Sequence, residues 1–405
     1  MFFSRIYLPL ALGYAVSYFF RNANAIIEGN LVKEIVLGPS DLGLLTSVYF
    51  ISFATFQLPL GVFLDRYGPR RTESFLILFA ALGAFIFSQA SSLSGLIVGR
   101  LLIGFGVSAC LMGAFKAYVM WFPAKRLSMI NGFQMVAGGI GALAATIPLQ
   151  NALSIIGWRG VFIGLTIISI FTSLCIWLFL PEQKCVEEKL PLLRLQFKEM
   201  GQVFRSLIFW GIAPLAAISS GTNLALHGLW IKPWLRDVAG ISQEASSELL
   251  FGMTLALITG FFILGILTER LSSFCSIDPI KISVLGMILY MFLQGVMVFD
   301  YKINPFLLVI LLGFFGSSSI LVYAGYAIKF PKKISGRVST MLNFLVFFGA
   351  FVLQWGIGAI IQMWPTNELG YDPESYKVAI GLLVLFQVVG LVWYFFSLKL
   401  IKISQ

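Results

Sequence analysis

The sequence predicts an all-α polytopic membrane protein, and three observations predict it. Of 405 residues, 59% are hydrophobic and only 11% charged, whereas a soluble globular chain is nearer half apolar and a quarter charged. The mean hydropathy is +0.91. Apolar runs of about 20 residues, the length a helix needs to cross a bilayer, recur from one end to the other. This balance excludes a water-soluble enzyme, a nucleic-acid-binding module and a disordered chain. The net charge of +10 does not point to nucleic acid, because the basic residues lie in short loops between apolar spans rather than on a soluble face.

Twelve spans are predicted, at 5–28, 41–64, 72–91, 93–121, 128–150, 158–181, 205–234, 246–267, 281–300, 304–329, 335–363 and 375–399. The first could pass for a signal peptide, but the apolar pattern continues past Arg21 without a small-x-small cleavage site, so an uncleaved span is expected. Pro39 to Asp41 opens the second span, and Phe122-Pro123 and Phe330-Pro331 close the fourth and tenth. With the N-terminus in the cytoplasm, nineteen Lys and Arg fall on the cytoplasmic side, six on the other and three inside spans, which accounts for all 28. The positive-inside rule therefore predicts both termini in the cytoplasm. Cys110, Cys175, Cys185 and Cys275 have no metal-ligand spacing and read as free thiols, so no metal site or disulfide framework is expected.

The longest polar interruption divides the chain into a bundle of six spans at 1–181, a cytoplasmic loop at 182–204 and a second bundle at 205–405. Equivalent landmarks recur between the halves. Gly61 to Arg66 is answered by Gly265 to Arg270, Phe122-Pro123 by Phe330-Pro331, and Gly141-Ala142 by Gly349-Ala350. Three matches at offsets of 204 to 208 residues, each at the same place in its half, point to duplication.

Between spans two and three runs Gly61-Val-Phe-Leu-Asp65-Arg66-Tyr-Gly68-Pro-Arg70-Arg71. This string resembles the signature loop of the major facilitator superfamily, Gly-x-Leu-Ala-Asp-Arg-x-Gly-Arg-Arg, at the family's position. The degenerate copy ending in Glu269-Arg270, and Arg100 followed by Gly104 and Gly106 in span four, extend the resemblance along the chain. It implies twelve transmembrane helices in two pseudo-symmetric six-helix bundles around a central cavity, working by alternating access. It also implies that Gly61, Asp65, Arg66, Gly68, Arg70, Glu269 and Arg270 form a conformational latch. Tyr18 to Asn22 in span one, with Gly43, Tyr49, Gln57, Pro59 and Gly61, is similar to the organic-anion branches, the anion–cation symporters and organophosphate transporters. Span four departs from them, offering Lys116 where proton-coupled anion symporters carry an acid.

Charged residues inside a span cost a few kcal/mol and invite explanation. Arg21, Asn24 and Glu28 fall on one stripe of the first helix, with Arg21 as an anion anchor and Glu28 as a proton carrier; snorkelling of Arg21 toward a headgroup-level Glu28 is the alternative. Arg100 and Lys116 are further cationic contacts, or a backbone-bonded structural arginine and a snorkelling lysine. Asn223, His227 and Trp230 share a face of span seven, where a histidine could relay a proton or be hydrogen-bonded structure. Tyr49 and Asn343 are candidates for the cavity wall, as they are for interhelical hydrogen bonds.

No acid falls in the middle of any predicted span, and this excess of buried cations points to an anionic substrate. The expected function is secondary transport of a small organic anion bearing a carboxylate or phosphate. Proton coupling is expected, with uniport or exchange as alternatives, and no cofactor beyond a coupling ion. The expected partners are a small-molecule substrate and the lipid bilayer, not nucleic acid, and the expected form is a monomer in a bacterial inner membrane. The rivals are an exporter of amphipathic drugs, which would be expected to carry a deep carboxylate, and a non-transporting receptor on a transporter fold. An enzyme is not expected, since no acid, nucleophile or metal cluster converges.

Overall fold

In bilayer hydrocarbon every backbone polar group must be satisfied internally, which leaves a chain of this composition one solution, helices. A computed structural model of the chain shows it. The structure describes residues 2–182, 201–299, 304–330, 332–365 and 370–404; residues 183–200 of the predicted central loop at 182–204, with Cys185, lie outside them. The chain divides into two compact units, Met1–Leu193 and Arg194–Gln405.

The first unit contains α1 (Phe2–Ile35), α2 (Pro39–Gln89), α3 (Leu93–Gly106), α4 (Cys110–Trp121), α5 (Ala124–Ala144) and α6 (Ile147–Phe179). At 1.5 Å per residue the 51 residues of α2 would extend about 76 Å, more than twice a hydrocarbon core. One residue resolves the conflict. Gly68 lies at φ 73°, ψ 165° and kinks α2 into two spans, in a region that only glycine enters freely. Across the kink the Thr72 hydroxyl donates to the Phe63 carbonyl (3.1 Å). Gly157 breaks α6 in the same way, at φ 66°, ψ 171°. Spans two and three thus share α2, and span four is α3 and α4 joined through a short turn. Helix α2 packs on α3 and α6, and α1 on α4, α5 and α6.

The second unit contains α7 (Leu207–Ala225), a π-turn (Leu226–Trp230), α8 (Ile231–Asp237), α9 (Gln243–Cys275), α10 (Pro279–Val298), α11 (Pro305–Gly316), a 3₁₀ turn (Ser317–Ile320), α12 (Leu321–Lys329), α13 (Lys332–Ile361) and α14 (Pro373–Ser404). Helix α7 packs on α13 and α14, α9 on α11, and α10 on α11, α12 and α14. Gln294 and Gln387 tie α10 to α14 at 2.8 Å, buried.

Among the described residues nine helical stretches are long and apolar enough to cross a membrane. One of them is α2, which holds two spans. Helix α1 is missing from that set although it is 34 residues long; it carries Arg5 in its first part and Arg21, Asn22, Asn24 and Glu28 further on. Span five retains only the shorter apolar helix Met129–Ala144. All twelve predicted spans fall on helices, and the chain is an all-α multi-pass membrane protein.

Candidate functional site

In the first unit two of the three predicted cationic residues, Arg21 and Arg100, converge on one tyrosine. Arg21 sits on α1 with its guanidinium 4.4 Å from the ring centre of Tyr18 and 5.6 Å from that of Phe53, and the Tyr49, Tyr18 and Tyr14 hydroxyls act on it electrostatically. Tyr49, on α2, is buried and reaches the Ser17 carbonyl (3.4 Å). Arg100, on α3, lies 5.7 Å from the Tyr49 ring centre and donates through Nη1 to the Phe20 carbonyl, next to Arg21 (2.7 Å). Arg100 is 0% exposed, yet its Nε and Nη2 have no acceptor. Aromatic faces hold both guanidiniums by cation–π attraction, and Tyr49 acts on both cations.

Asn24 is fully buried and its amide donates to Thr46 of α2 (2.9 Å); its Oδ1 has no donor. Glu28, further along α1, is buried. Lys116 is placed elsewhere. Fifty-one residues from Asp65 in sequence, it forms an ion pair with that carboxylate, which puts it in the signature loop rather than beside Arg21. In the same loop Arg66 lies over Tyr67 (5.4 Å). Arg70 reaches the Trp177 ring (5.1 Å) and Glu182 (3.7 Å), and Arg71 also pairs with Glu182. Gly61 is exposed on α2, and Gly68 makes the kink described above.

In the second unit Asn223, His227 and Trp230 lie on and beside the π-turn, the kind of helix defect that accompanies functional sites. Thr254 gives its own proton to the Leu250 carbonyl (2.7 Å), so in its 2.9 Å contact with His227 it accepts, and His227 Nε2 carries the hydrogen. Trp230 donates to the Gln354 carbonyl of α13 (3.0 Å). Asn223 is buried with its Oδ1 unpartnered, and Asn343 accepts from Tyr323 (3.2 Å). Glu269 and Arg270 are exposed near the end of α9, with no ion pair among the described residues.

A sequence profile of the Major Facilitator Superfamily matches residues 10–353. The chain belongs to the Major Facilitator Superfamily. Among its relatives in this superfamily are the protein named Probable L-galactonate transporter of Escherichia coli (strain K12), 26% identical over 63% of this chain and 60% of its own length. The Galacturonate transporter of Dickeya chrysanthemi is 24% identical over 50% and 64%, and the Hexuronate transporter of E. coli K12 26% identical over 58% of each. The chain thus spans less than two thirds of the length of these relatives. A bacterial homologue of the human lysosomal transporter Spinster shares the fold, with a TM-score of 0.78 at 18% identity over 98% of this chain and 97% of that one. A D-xylose-proton symporter shares it at 0.68 and 15% identity, over 96% and 97%.

Two features of this superfamily member escape a reading by span. Glu73 sits two residues into the third predicted span, where it looks like a boundary residue, yet it is completely buried. Asp237, at the end of α8, has a side chain only 1% exposed and is held by Arg236 (2.6 Å) and Tyr376 (2.7 Å). Neither has a sequence neighbour that announces its burial.

Proposed function

We propose that this chain moves a small organic anion of the sugar-acid class across a bacterial cytoplasmic membrane by alternating access, coupled to protons. The observation that carries the reading is Arg100. A guanidinium wholly enclosed, with two buried nitrogens lacking acceptors, leaves donors whose desolvation costs about 1–3 kcal/mol each. A carboxylate engaging Arg21 brings negative charge beside Tyr49, which acts on Arg21 electrostatically and whose ring lies under Arg100, and its two oxygens match the guanidinium fork. The cargoes for which these relatives are named, L-galactonate, galacturonate and hexuronate, are polyhydroxy carboxylates. The unpartnered Asn24 Oδ1 offers an acceptor suited to a sugar hydroxyl in the same unit. The excess of Lys and Arg on one side of the predicted topology supports cytoplasmic termini, and the transporter acts as a monomer.

The test is uptake into proteoliposomes of labelled D-galacturonate, L-galactonate, nitrate and tetraphenylphosphonium, with and without a pH gradient. Saturable uptake of a sugar acid, raised by an inward proton gradient, is expected. Uptake of the lipophilic cation with none of the anions overturns the reading. Arg21→Ala removes a charge-assisted bond worth about 1.5–3 kcal/mol and is expected to weaken sugar-acid binding roughly 10- to 150-fold. Unchanged affinity removes Arg21 from the site.

A further inference from the structure

Glu73 has a place in the fold that anion binding does not use. It lies five residues beyond the Gly68 kink and is 0% exposed. Neither carboxyl oxygen has a hydrogen-bond partner, and among the described residues no ion pair reaches it. Two glycines on two other helices make its space. A Cβ on Gly13 of α1 would come within 3.0 Å of Oε1, and one on Gly113 of α4 within 2.5 Å of Oε2.

The titratable groups that act on this carboxyl are Cys110 and Tyr118, both of α4. Helix α1 presents Gly13, and α6 brings Ile176 beside that glycine. The Tyr118 hydroxyl is occupied, donating to Gln134 Oε1 (2.7 Å). None of these groups is a cation. An ionised carboxylate sealed from water with neither a cation nor a donor costs several kcal/mol, and such a group takes up a proton instead.

We propose that Glu73 is a proton-binding site of the transport cycle, a neutral carboxylic acid in the state seen here that ionises when this end of the first unit admits water. The proposal deepens the proton-coupled reading given above and rests on it. The chemistry is one proton exchanged with water, with no change of oxidation state. Its consequence runs through α4. Gly113, which faces the carboxyl, and Lys116, which pairs with Asp65, are three residues apart and share a helix face. Proton loss from Glu73 sets a second carboxylate within about a turn of that ammonium, in competition with Asp65. Proton release and loosening of the signature loop therefore draw on the same lysine.

The first test needs no substrate. Infrared spectra of the purified full chain in lipid nanodiscs, compared in H₂O and D₂O at neutral pH, are expected to contain a deuterium-sensitive carboxylic C=O band that Glu73→Gln removes. A spectrum unchanged by that nearly isosteric substitution overturns the proposal. The second test uses D-galacturonate in proteoliposomes. Glu73→Gln is expected to retain exchange of labelled for unlabelled galacturonate while losing accumulation driven by a pH gradient by roughly tenfold or more. Wild-type accumulation by the variant overturns the coupling role. If the wild type moves no galacturonate, the sugar-acid reading fails, and the infrared comparison still decides whether Glu73 holds a proton.

Discussion

Replacing Gly68 by alanine separates backbone strain from crowding. The residue adopts φ 73°, ψ 165°, and a Cβ built there meets nothing within 4 Å. Any cost is therefore conformational, about 1–3 kcal/mol for a residue with a side chain in this region, or roughly 5- to 150-fold in the folding equilibrium. Gly157 repeats the experiment inside the same unit, with φ 66°, ψ 171° and equally open surroundings. Gly157→Ala should cost a similar amount, and the two should add, since they lie in separate kinks. The assay is SDS-induced unfolding of each variant in mixed micelles, followed by circular dichroism. Asparagine supplies the sharper discrimination. It tolerates left-handed helical backbone, with ψ near +45°, but not an extended ψ, so Gly68→Asn should be no better than Gly68→Ala. An alanine variant as stable as wild type, or an asparagine variant that rescues it, refutes the geometry on which the two-span reading of α2 depends.

Other perturbations have expected outcomes of different size. The Asp65–Lys116 pair is partly exposed, at 39% and 30% of the two side chains, so a double-mutant cycle with Asp65→Asn and Lys116→Ala should give a coupling of about 0.2–1 kcal/mol that shrinks as salt is raised; a larger, salt-independent value would contradict the exposed geometry. The buried His227–Thr254 bond should show a coupling of about 0.6 kcal/mol with Thr254→Val and His227→Leu, in line with interhelical bonds in membranes, and no coupling would mean the pair is not bonded. Glu34, past the predicted end of the first span, accepts from Trp158 Nε1 (2.6 Å) and pairs with Arg159, and these two donors hold its carboxyl below the usual carboxylate value. A lowered folded value contributes stability that is complete above the ordinary glutamate range near 4.5 and is lost as pH falls through the folded value. Thermal unfolding should therefore show wild type above Glu34→Gln at pH 7 and the gap closing in acid; a gap that widens in acid would reverse the assignment.

Most of the fold was legible because lipid leaves the chain few choices. Runs of apolar residues had to be helices, and all twelve predicted spans fall on helical segments. The kink at Gly68 was legible as a loop glycine, but not as a break within a single continuous helix, since helical hydrogen bonding resumes on either side with Pro69 accepted at the start of the second segment. Within the candidate site, Arg21, Tyr49 and Arg100 were visible as polar exceptions, and packing of α1, α2 and α3 brings them together. The partner of Lys116 was not visible. Local sequence gives a lysine one turn from a helix end two accounts, snorkelling or ligand contact, and only the approach of α4 to the Asp65 loop supplies the third. Glu73 was invisible for a related reason. Beside Arg70, Arg71 and Thr72 it reads as the polar edge of a span, and its burial depends on Gly13 and Gly113, which are 60 and 40 residues away in opposite directions.

The absence of a mid-span acid made the sequence look poor in coupling groups, and the structure changes the terms of that argument. What matters for a proton site is not depth along a span but separation from water and from cations. Glu182, just after the sixth span, has two cationic partners, Arg70 and Arg71, and a 45% exposed side chain. Asp65 has Lys116. Glu73 is sealed from solvent and has no cationic partner among the described residues, and burial disfavours its charge. Three carboxylates of the same unit are therefore sorted by their surroundings into two that anchor basic groups and one suited to carry a proton. That sorting also predicts which substitutions move transport: neutralising Glu182 should change little beyond loop stability, whereas neutralising Glu73 should separate substrate exchange from the proton gradient.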